Sequence, residues 1–145
     1  MIEYRKGNLL GVAEGVIVHG CNMQGVMGSG VAKQIKQKYP ACFAKYKMHL
    51  ETEECNLGDD IMYKVNDDLR ICNALTQWSY GLGVRQVNYA AIVKVFSRLF
   101  NCYRNEVVHF PKIGAGLGGG DWSIIEQLID DCDPDNLRQK ICWEL

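Results

Sequence analysis

The chain has 145 residues, of which 48% are apolar and 23% are charged, and its formal net charge is −1. This balance is that of an ordinary soluble globule, and the absence of a basic block gives no reason to expect nucleic-acid binding. Seven scattered cysteines without a CxxC pair, and only three histidines, argue against a zinc site. We therefore expect reduced thiols in a cytoplasmic protein, with no signal peptide in MIEYRK and no membrane-spanning segment.

Apolar and polar residues alternate at 2–5, which predicts a short strand. An apolar run at 16–18 predicts a buried strand that leads through polar residues and glycines into a helix beginning near Val31. Pro40 is expected to end or bend this helix. The segments that follow are predicted as one or two further helical turns up to Leu50, a loop at 51–60, strands at 61–65 and 69–75, and a turn at 66–68 between them.

The second half begins with a polar, aromatic and glycine-bearing loop at 76–85. Apolar residues then recur at three- and four-residue spacing from Tyr89 to Phe100, which is the best helix signal in the chain. The rest is predicted as a strand at 106–110, a glycine loop at 111–120, a helix capped by Asp121 or Ser123 with a Ser123–Glu126 capping box, an acidic turn at 130–135 and a strand at 138–145. The alternation predicts one α/β domain, residues 1–145, with a mixed sheet.

Two glycine loops, at 25–30 and 111–120, each follow a predicted strand and precede a predicted helix. Such a loop can turn its backbone N–H groups toward an anion, and the helix start adds unpaired N–H groups. The first loop alone is equally compatible with a plain turn whose glycines only relieve crowding. Together, the two loops predict that a diphosphate is clamped from both sides.

The second loop contains Gly114, Gly116 and Gly119 at the spacing of a dinucleotide-binding fingerprint. A nicotinamide dehydrogenase needs a further strand with an acidic residue about 20 residues later, and a second half beyond it. Only one helix and one strand remain after this loop, so we reject that class of enzyme.

The order of these motifs resembles the macrodomain family, which binds ADP-ribose. The resemblance rests on GNL at 7–9, HGCN at 19–22, GVMGSGVA at 25–32 and PKIGAGLGGGDW at 111–122. The chain is most similar to the ADP-ribose-1″-phosphate phosphatase branch, also through LTQWSYG at 75–81 and ICWEL at 141–145. The resemblance implies a three-layer α/β/α fold with a mixed sheet of about six strands.

The resemblance also implies roles for individual positions. Asn8 stands where an aspartate usually bonds the adenine, Asn22 where an asparagine contacts the distal ribose, and Trp143 is expected to border the adenine. His19 matches the histidine of the phosphatase branch, with its role as acid, base or nucleophile left open, and Asn22 would assist it. The implied substrate-binding residues are Asn8, Leu9, Gly20, Cys21, Asn22, Met27, Gly28, Ser29, Gly30, Val31, Gln77, Ile113, Gly114, Ala115, Gly116, Leu117 and Gly118.

Two departures from related ADP-ribosyl glycohydrolases bear on the reaction. Gln77 stands where those enzymes carry a lysine nucleophile, and Gly118 stands where they carry an aspartate. The lysine–aspartate mechanism is therefore not open to this chain.

The leading functional hypothesis is metal-free and cofactor-free hydrolysis of ADP-ribose 1″-phosphate to ADP-ribose and phosphate. The alternatives are a non-lysine ADP-ribosyl glycohydrolase and a non-catalytic ADP-ribose reader. The expected partner is ADP-ribose or its 1″-phosphate, without a membrane or direct nucleic-acid partner, and the chain is expected to be a monomer.

Overall fold

A computed structural model describes residues 1–80 and 85–144 of the chain. Its strands are β1 (Glu3–Lys6), β2 (Gly15–Asn22), β3 (Asp60–Lys64), β4 (Leu69–Gln77), β5 (Val108–Phe110) and β6 (Lys140–Glu144). Its helices are α1 (Gly30–Lys38), α2 (Pro40–Thr52), α3 (Tyr89–Cys102) and α4 (Trp122–Asp131), with a short 3-10 turn at Leu9–Gly11.

The six strands form one mixed sheet in the order β1-β6-β5-β2-β4-β3. Strands β1, β6, β5, β2 and β4 run parallel to one another, and the edge strand β3 is antiparallel to β4. The carboxyl ends of five strands therefore meet at one edge, which is where open α/β sheets bind ligands.

Helices cover both faces of the sheet. The side chains of β2 alternate between the faces, with Val16 and Val18 on one and Ile17 on the other, as the pleat requires. The first face packs against apolar residues of α3 and α4, and the second packs against residues of α1 and α2. The three-layer α/β/α fold with six strands is confirmed.

Several element boundaries differ from the sequence predictions. Helix α2 has 13 residues rather than one or two turns, because Pro40 starts a new helix at its first position and Cys42 and Tyr46 are buried beneath it. Strand β4 continues to Gln77, because it keeps pairing with β2 beyond Leu75. Strand β5 is only three residues long, since its ladder with β6 begins at Val108.

The capping box predicted for α4 is wrong. Asp121 is the N-cap, and its carboxylate accepts hydrogen bonds from the backbone N–H of Ser123 and, at 2.6 Å, from the Ser123 hydroxyl. Glu126 instead accepts a hydrogen bond from the Tyr4 hydroxyl on the neighbouring strand β1. The Glu126 side chain therefore makes a tertiary contact and not the local hydrogen bond of a capping box.

Parts of two sequence predictions, 81–84 of the loop at 76–85 and Leu145 of the last strand, lie outside the described residues. Among the helices of residues 1–80 and 85–144, none combines the length and hydropathy of a segment that crosses a bilayer. The same ranges contain no cluster of three or more histidine, cysteine or acidic side chains arranged to hold a metal ion.

Candidate functional site

A cleft of about 460 Å³ opens at the carboxyl edge of the sheet, where β1, β5 and β6 end. Helix α1 forms its opposite wall. The residues that line it are Asn8, Leu9, Leu10, Val31, Gln34, Pro111, Lys112, Trp143 and Glu144. Asn8, Leu9 and Val31 were implied from the sequence as substrate-binding residues, and Trp143 was expected to border the base.

Trp143 is packed over the backbone at the end of β1. A Cβ atom on Gly7 would lie only 3.2 Å from the indole ring, and Gly7 has φ +146°. Both observations require glycine at this position. The glycine of the GNL motif at 7–9 therefore provides the space for a pocket-lining aromatic ring that comes from the opposite end of the chain.

The Asn8 side chain stabilises the backbone that follows it. Its side-chain oxygen accepts a hydrogen bond of 3.0 Å from the backbone N–H of Leu10 and so caps the 3-10 turn. A carbonyl oxygen has two lone pairs, so a second donor can still bind. The bond to an adenine amino group stays a prediction.

Asn22 organises the first glycine loop from the end of β2. Its amide donates to the Val26 carbonyl at 2.8 Å, and its oxygen accepts from the backbone N–H groups of Gln24 at 3.0 Å and Val26 at 3.3 Å. The buried Tyr46 hydroxyl of α2 donates to the Asn22 backbone oxygen at 2.6 Å and lies 3.0 Å from its side-chain oxygen. Contact with a distal ribose, the role implied by the resemblance, stays a prediction.

The first loop presents unpaired backbone donors at its far end. Among residues 1–80 and 85–144, no backbone or side-chain acceptor pairs with the N–H groups of Gly28, Ser29 or Gly30. Ser29 is the N-cap of α1 but makes no capping bond through its hydroxyl, and the first turn contains no acidic residue. A helix start left in this state favours a negatively charged ligand.

The second loop, after β5, folds back on itself through its glycines. Gly120 donates to the Gly114 carbonyl at 2.8 Å and Gly119 donates to Gly116 at 3.1 Å. In the described part of the chain, the N–H groups of Gly116 and Leu117 have no acceptor. These two residues are exposed at the tip of the loop, so their amides can also reach an anion.

The two loops follow neighbouring strands, because β2 pairs with β5 in parallel. They also approach each other at their bases: a Cβ atom on Gly20 of β2 would lie 3.4 Å from the Ile113 side chain. The topology therefore brings both glycine loops to one side of one edge, beside the cleft.

His19 is buried in the sheet, with 1% of its surface exposed. Its Nε2 lies 2.6 Å from Oδ1 of Asn73, whose own amide donates to the Ile61 carbonyl at 3.0 Å. Because that bond orients the Asn73 oxygen toward the ring, His19 carries its proton on Nε2. Burial lowers the pKa of His19 to about 4, so the ring is neutral at pH 7.

Two other implied substrate-binding residues are also enclosed. Cys21 and Met27 are buried in the layer between the sheet and α2. Burial raises the pKa of the Cys21 thiol well above its usual range, which suits a packing residue rather than a nucleophile. Both side chains are therefore packing residues of the core.

Gln77 and Gly118 stand where the related glycohydrolases carry lysine and aspartate. The structure constrains these two positions in different ways. The Gln77 amide donates to the Ser79 carbonyl at 2.7 Å. A Cβ atom on Gly118 would lie 2.6 Å from the Gly114 oxygen, so this loop conformation has no room for any side chain there. Ala115, also implied as a substrate-binding residue, is half-buried between these glycines.

Sequence reasoning missed several residues at this edge. Leu10, Gln34, Pro111, Lys112 and Glu144 line the cleft but carry no signal that local spacing exposes. Lys112 and Glu144 form an ion pair of 3.2 Å across two strand ends, which only the sheet order brings together.

The model of the Macro domain family matches residues 18–129 of the chain. The chain belongs to the Macro domain family. The matched range contains both glycine loops, all of β5 and the last five residues of β2.

Three relatives illustrate the range of similar proteins. An uncharacterized 17.5 kDa protein of Enterobacteria phage T4 is 32% identical over 90% of this macrodomain and 88% of that protein. The DNA ADP-ribosyl glycohydrolase of Mycobacterium tuberculosis is 28% identical over 89% of this chain, which spans only 38% of that enzyme. The ADP-ribose 1″-phosphate phosphatase of Candida albicans is 22% identical over 92% of this chain and 94% of that enzyme.

Solved structures share the fold along the whole chain. A protein of unknown function from Bacteroides thetaiotaomicron superposes with a TM-score of 0.89 at 28% identity, covering 100% of this chain and 98% of that one. The macrodomain of Mycobacterium tuberculosis DarG gives a TM-score of 0.85 at 26% identity, with 100% and 98% coverage.

Proposed function

We propose that this macrodomain binds ADP-ribose along the carboxyl edge of its sheet and hydrolyses ADP-ribose 1″-phosphate to ADP-ribose and phosphate. The observation that carries the proposal is the pair of glycine loops that follow neighbouring strands β2 and β5. Each has backbone N–H groups without an acceptor in the described part of the chain. Such amides bind a diphosphate without needing a basic surface.

The sheet order supports one direction for the ligand along this edge. The cleft with the aromatic Trp143 lies at the ends of β1, β5 and β6, and we assign it to the adenine base. The diphosphate then lies over the loops after β5 and β2, and the distal ribose reaches the ends of β2 and β4. A leaving phosphate on that ribose would lie at the end of the cleft opposite the base.

In the proposed reaction, water attacks the phosphorus atom, the bond from phosphorus to the 1″ oxygen breaks, and that oxygen takes up a proton. Loop amides stabilise the negative charge that develops on the transferred group. His19 as the acid, base or nucleophile stays a prediction, and its contacts with Asn73 are also those of a structural residue. The name of the Candida albicans relative, which matches over nearly its full length, supports this substrate.

The test combines calorimetric titration with ADP-ribose and phosphate release from ADP-ribose 1″-phosphate, in buffer containing EDTA. We expect binding and metal-independent release. His19→Gln keeps an amide donor that can reach Asn73 but removes the ring. A catalytic His19 predicts that this variant loses release by about 100-fold or more while ADP-ribose affinity is kept; unchanged release would remove His19 from the mechanism.

A non-catalytic ADP-ribose reader is the second candidate, and the burial of His19 favours it. The reader predicts ADP-ribose binding with no release from the 1″-phosphate. Release of ADP-ribose from modified DNA or protein would instead support a non-lysine glycohydrolase. A parent protein that fails to bind ADP-ribose would contradict all three functions.

A further inference from the structure

The turn at 8–10 lines the cleft beside Trp143. Its three backbone carbonyl oxygens are all engaged. In chain order they accept hydrogen bonds from the N–H of Gly11 at 2.9 Å, the N–H of Val12 at 3.2 Å and Nζ of Lys38 at 2.6 Å. The backbone of this turn has therefore already used its acceptors within the protein.

The hydrogen-bond donors of the same turn are not used. The backbone N–H of Leu10 can only donate, so the Asn8 atom that faces it at 3.0 Å is the oxygen. Nδ2 of Asn8 then has no acceptor among residues 1–80 and 85–144, and the side chain is exposed. The N–H of Leu9, first in the 3-10 turn, also has no acceptor within these ranges. The turn thus offers a ligand two donor groups.

The rest of the cleft lining leaves this choice to the turn. Glu144 supplies the carboxylate of the lining, and Lys112 pairs with it at 3.2 Å. The indole N–H of Trp143 donates to His109 at 3.0 Å, so the ring offers a ligand its flat surface only. Gln34, on the opposite wall, has an amide that can present either its oxygen or its nitrogen.

Two adjacent donors distinguish the edges of purine bases. Guanine presents two acceptors side by side, O6 and N7, and hypoxanthine has the same edge, whereas adenine presents the acceptor N7 beside an amino donor. Nδ2 of Asn8 and the N–H of Leu9 match the first pattern. Adenine is also accommodated, because its amino group can donate to the second lone pair of the Asn8 oxygen.

We propose that Asn8 makes the base site tolerant of purines with a carbonyl group at position 6, so that the hypoxanthine and guanine counterparts of ADP-ribose bind alongside ADP-ribose. The inference rests on the proposed function and widens its substrate class. A carboxylate at position 8 would have the opposite effect, since it accepts from an amino group but repels a carbonyl oxygen.

The test is calorimetric titration with ADP-ribose and with its hypoxanthine analogue, in which an oxygen replaces the amino group at position 6. We expect the parent to bind the two ligands with affinities within about fivefold of each other. Asn8→Asp has the same shape and still accepts from the Leu10 N–H, so the turn is kept, as equal melting temperatures would show. We expect this variant to shift the affinity ratio about tenfold or more toward ADP-ribose.

Gln34→Glu is the matched control, because it makes the same change from amide to carboxylate on the opposite wall of the cleft. Its added charge acts on both diphosphate ligands alike, so we expect the affinity ratio of the parent. An equal shift of the ratio in both variants would overturn the assignment to Asn8.

The remaining outcomes separate this inference from the proposed function. A parent that prefers ADP-ribose by more than about fivefold, or an Asn8→Asp variant with an unchanged ratio, overturns the inference while the proposed function stands. Binding of the hypoxanthine analogue alone supports the donor role of Asn8 and contradicts the ADP-ribose function. If the parent binds neither ligand, both fail.

Discussion

Trp143 donates its indole N–H to Nδ1 of His109 at 3.0 Å, and this bond holds a cleft-lining ring against the sheet. The other ring nitrogen, Nε2, lies 3.2 Å from the Glu14 carbonyl, so it carries the proton and Nδ1 is the acceptor. His109 is 6% exposed. No sequence motif points to a functional role for His109, yet its hydrogen bond determines the orientation of Trp143.

This relationship predicts a pH effect on binding. Burial, with a smaller contribution from the charge of Arg5, lowers the pKa of His109 below its ordinary value of 6.5. As pH falls through that lowered pKa, Nδ1 gains a proton and can no longer accept from Trp143. We expect ADP-ribose affinity to fall several-fold, since one hydrogen bond contributes about 1 kcal/mol. Calorimetric titrations from pH 7.5 to 5 measure this.

His109→Asn provides the control for that experiment, because its side-chain oxygen stands near the place of Nδ1 and does not titrate. We expect this variant to bind at pH 7.5 nearly as the parent does and to lose most of the acid sensitivity. An undiminished acid sensitivity in His109→Asn would show that another group is responsible.

His19 predicts a pH dependence of stability. Its pKa is about 4 in the folded protein, mainly because of burial, and about 6.5 when unfolded. Above pH 6.5 both states are neutral and stability is insensitive to this group. Between pH 6.5 and 4 the unfolded chain binds a proton that the folded protein does not, so the free energy of unfolding falls, by about 3 kcal/mol in all.

Urea unfolding at pH 7.5, 6, 5 and 4 measures this loss. His19→Gln removes the titrating ring, and we expect a shallower decline than in the parent. His109 contributes in the same direction, so part of the decline should persist in His19→Gln. Equal declines in the two proteins would mean that folding does not shift the pKa of His19.

Substitutions of Gly30, at the start of α1, test whether the first glycine loop binds the diphosphate. Gly30 has φ +60°, with no atom within 4 Å of a Cβ placed on it, so space exists for a side chain. Asparagine and aspartate both tolerate this backbone conformation and have the same shape. We expect Gly30→Asp to bind ADP-ribose about tenfold or more weakly than Gly30→Asn, because a carboxylate beside the loop amides repels a diphosphate.

Calorimetry on these two variants, with melting temperatures to check the fold, separates charge from backbone effects. The difference in ADP-ribose affinity between Gly30→Asp and Gly30→Asn should become smaller at high salt, because screening weakens the repulsion between exposed charges. Equal affinities would place the diphosphate away from this loop.

The second loop predicts a contrast between two glycines. A Cβ on Gly118 would lie 2.6 Å from the Gly114 oxygen, whereas a Cβ on Gly116 meets nothing within 4 Å. We expect Gly118→Ala to lower the free energy of unfolding by about 1–3 kcal/mol, as overpacking does, and Gly116→Ala to change it by less than about 0.5 kcal/mol. Urea unfolding compares the two, and similar losses would contradict the loop geometry.

The amino-acid sequence by itself determined the alternation of strands and helices, the α/β class of the fold and the two glycine loops. These are local features: a buried run at 16–18, a helical period from Tyr89 to Phe100 and glycines between strand and helix all act within a few residues. The Macro domain assignment, predicted from motifs in their order, is confirmed by the family match.

Only the tertiary structure decided how the chemical groups are used. His19 and Asn73, 54 positions apart, meet because β2 and β4 are neighbours. Trp143 reaches His109 because β6 lies beside β5. Strand order and register depend on long-range pairing and burial, which no local pattern contains, so the partners of these side chains are properties of the fold.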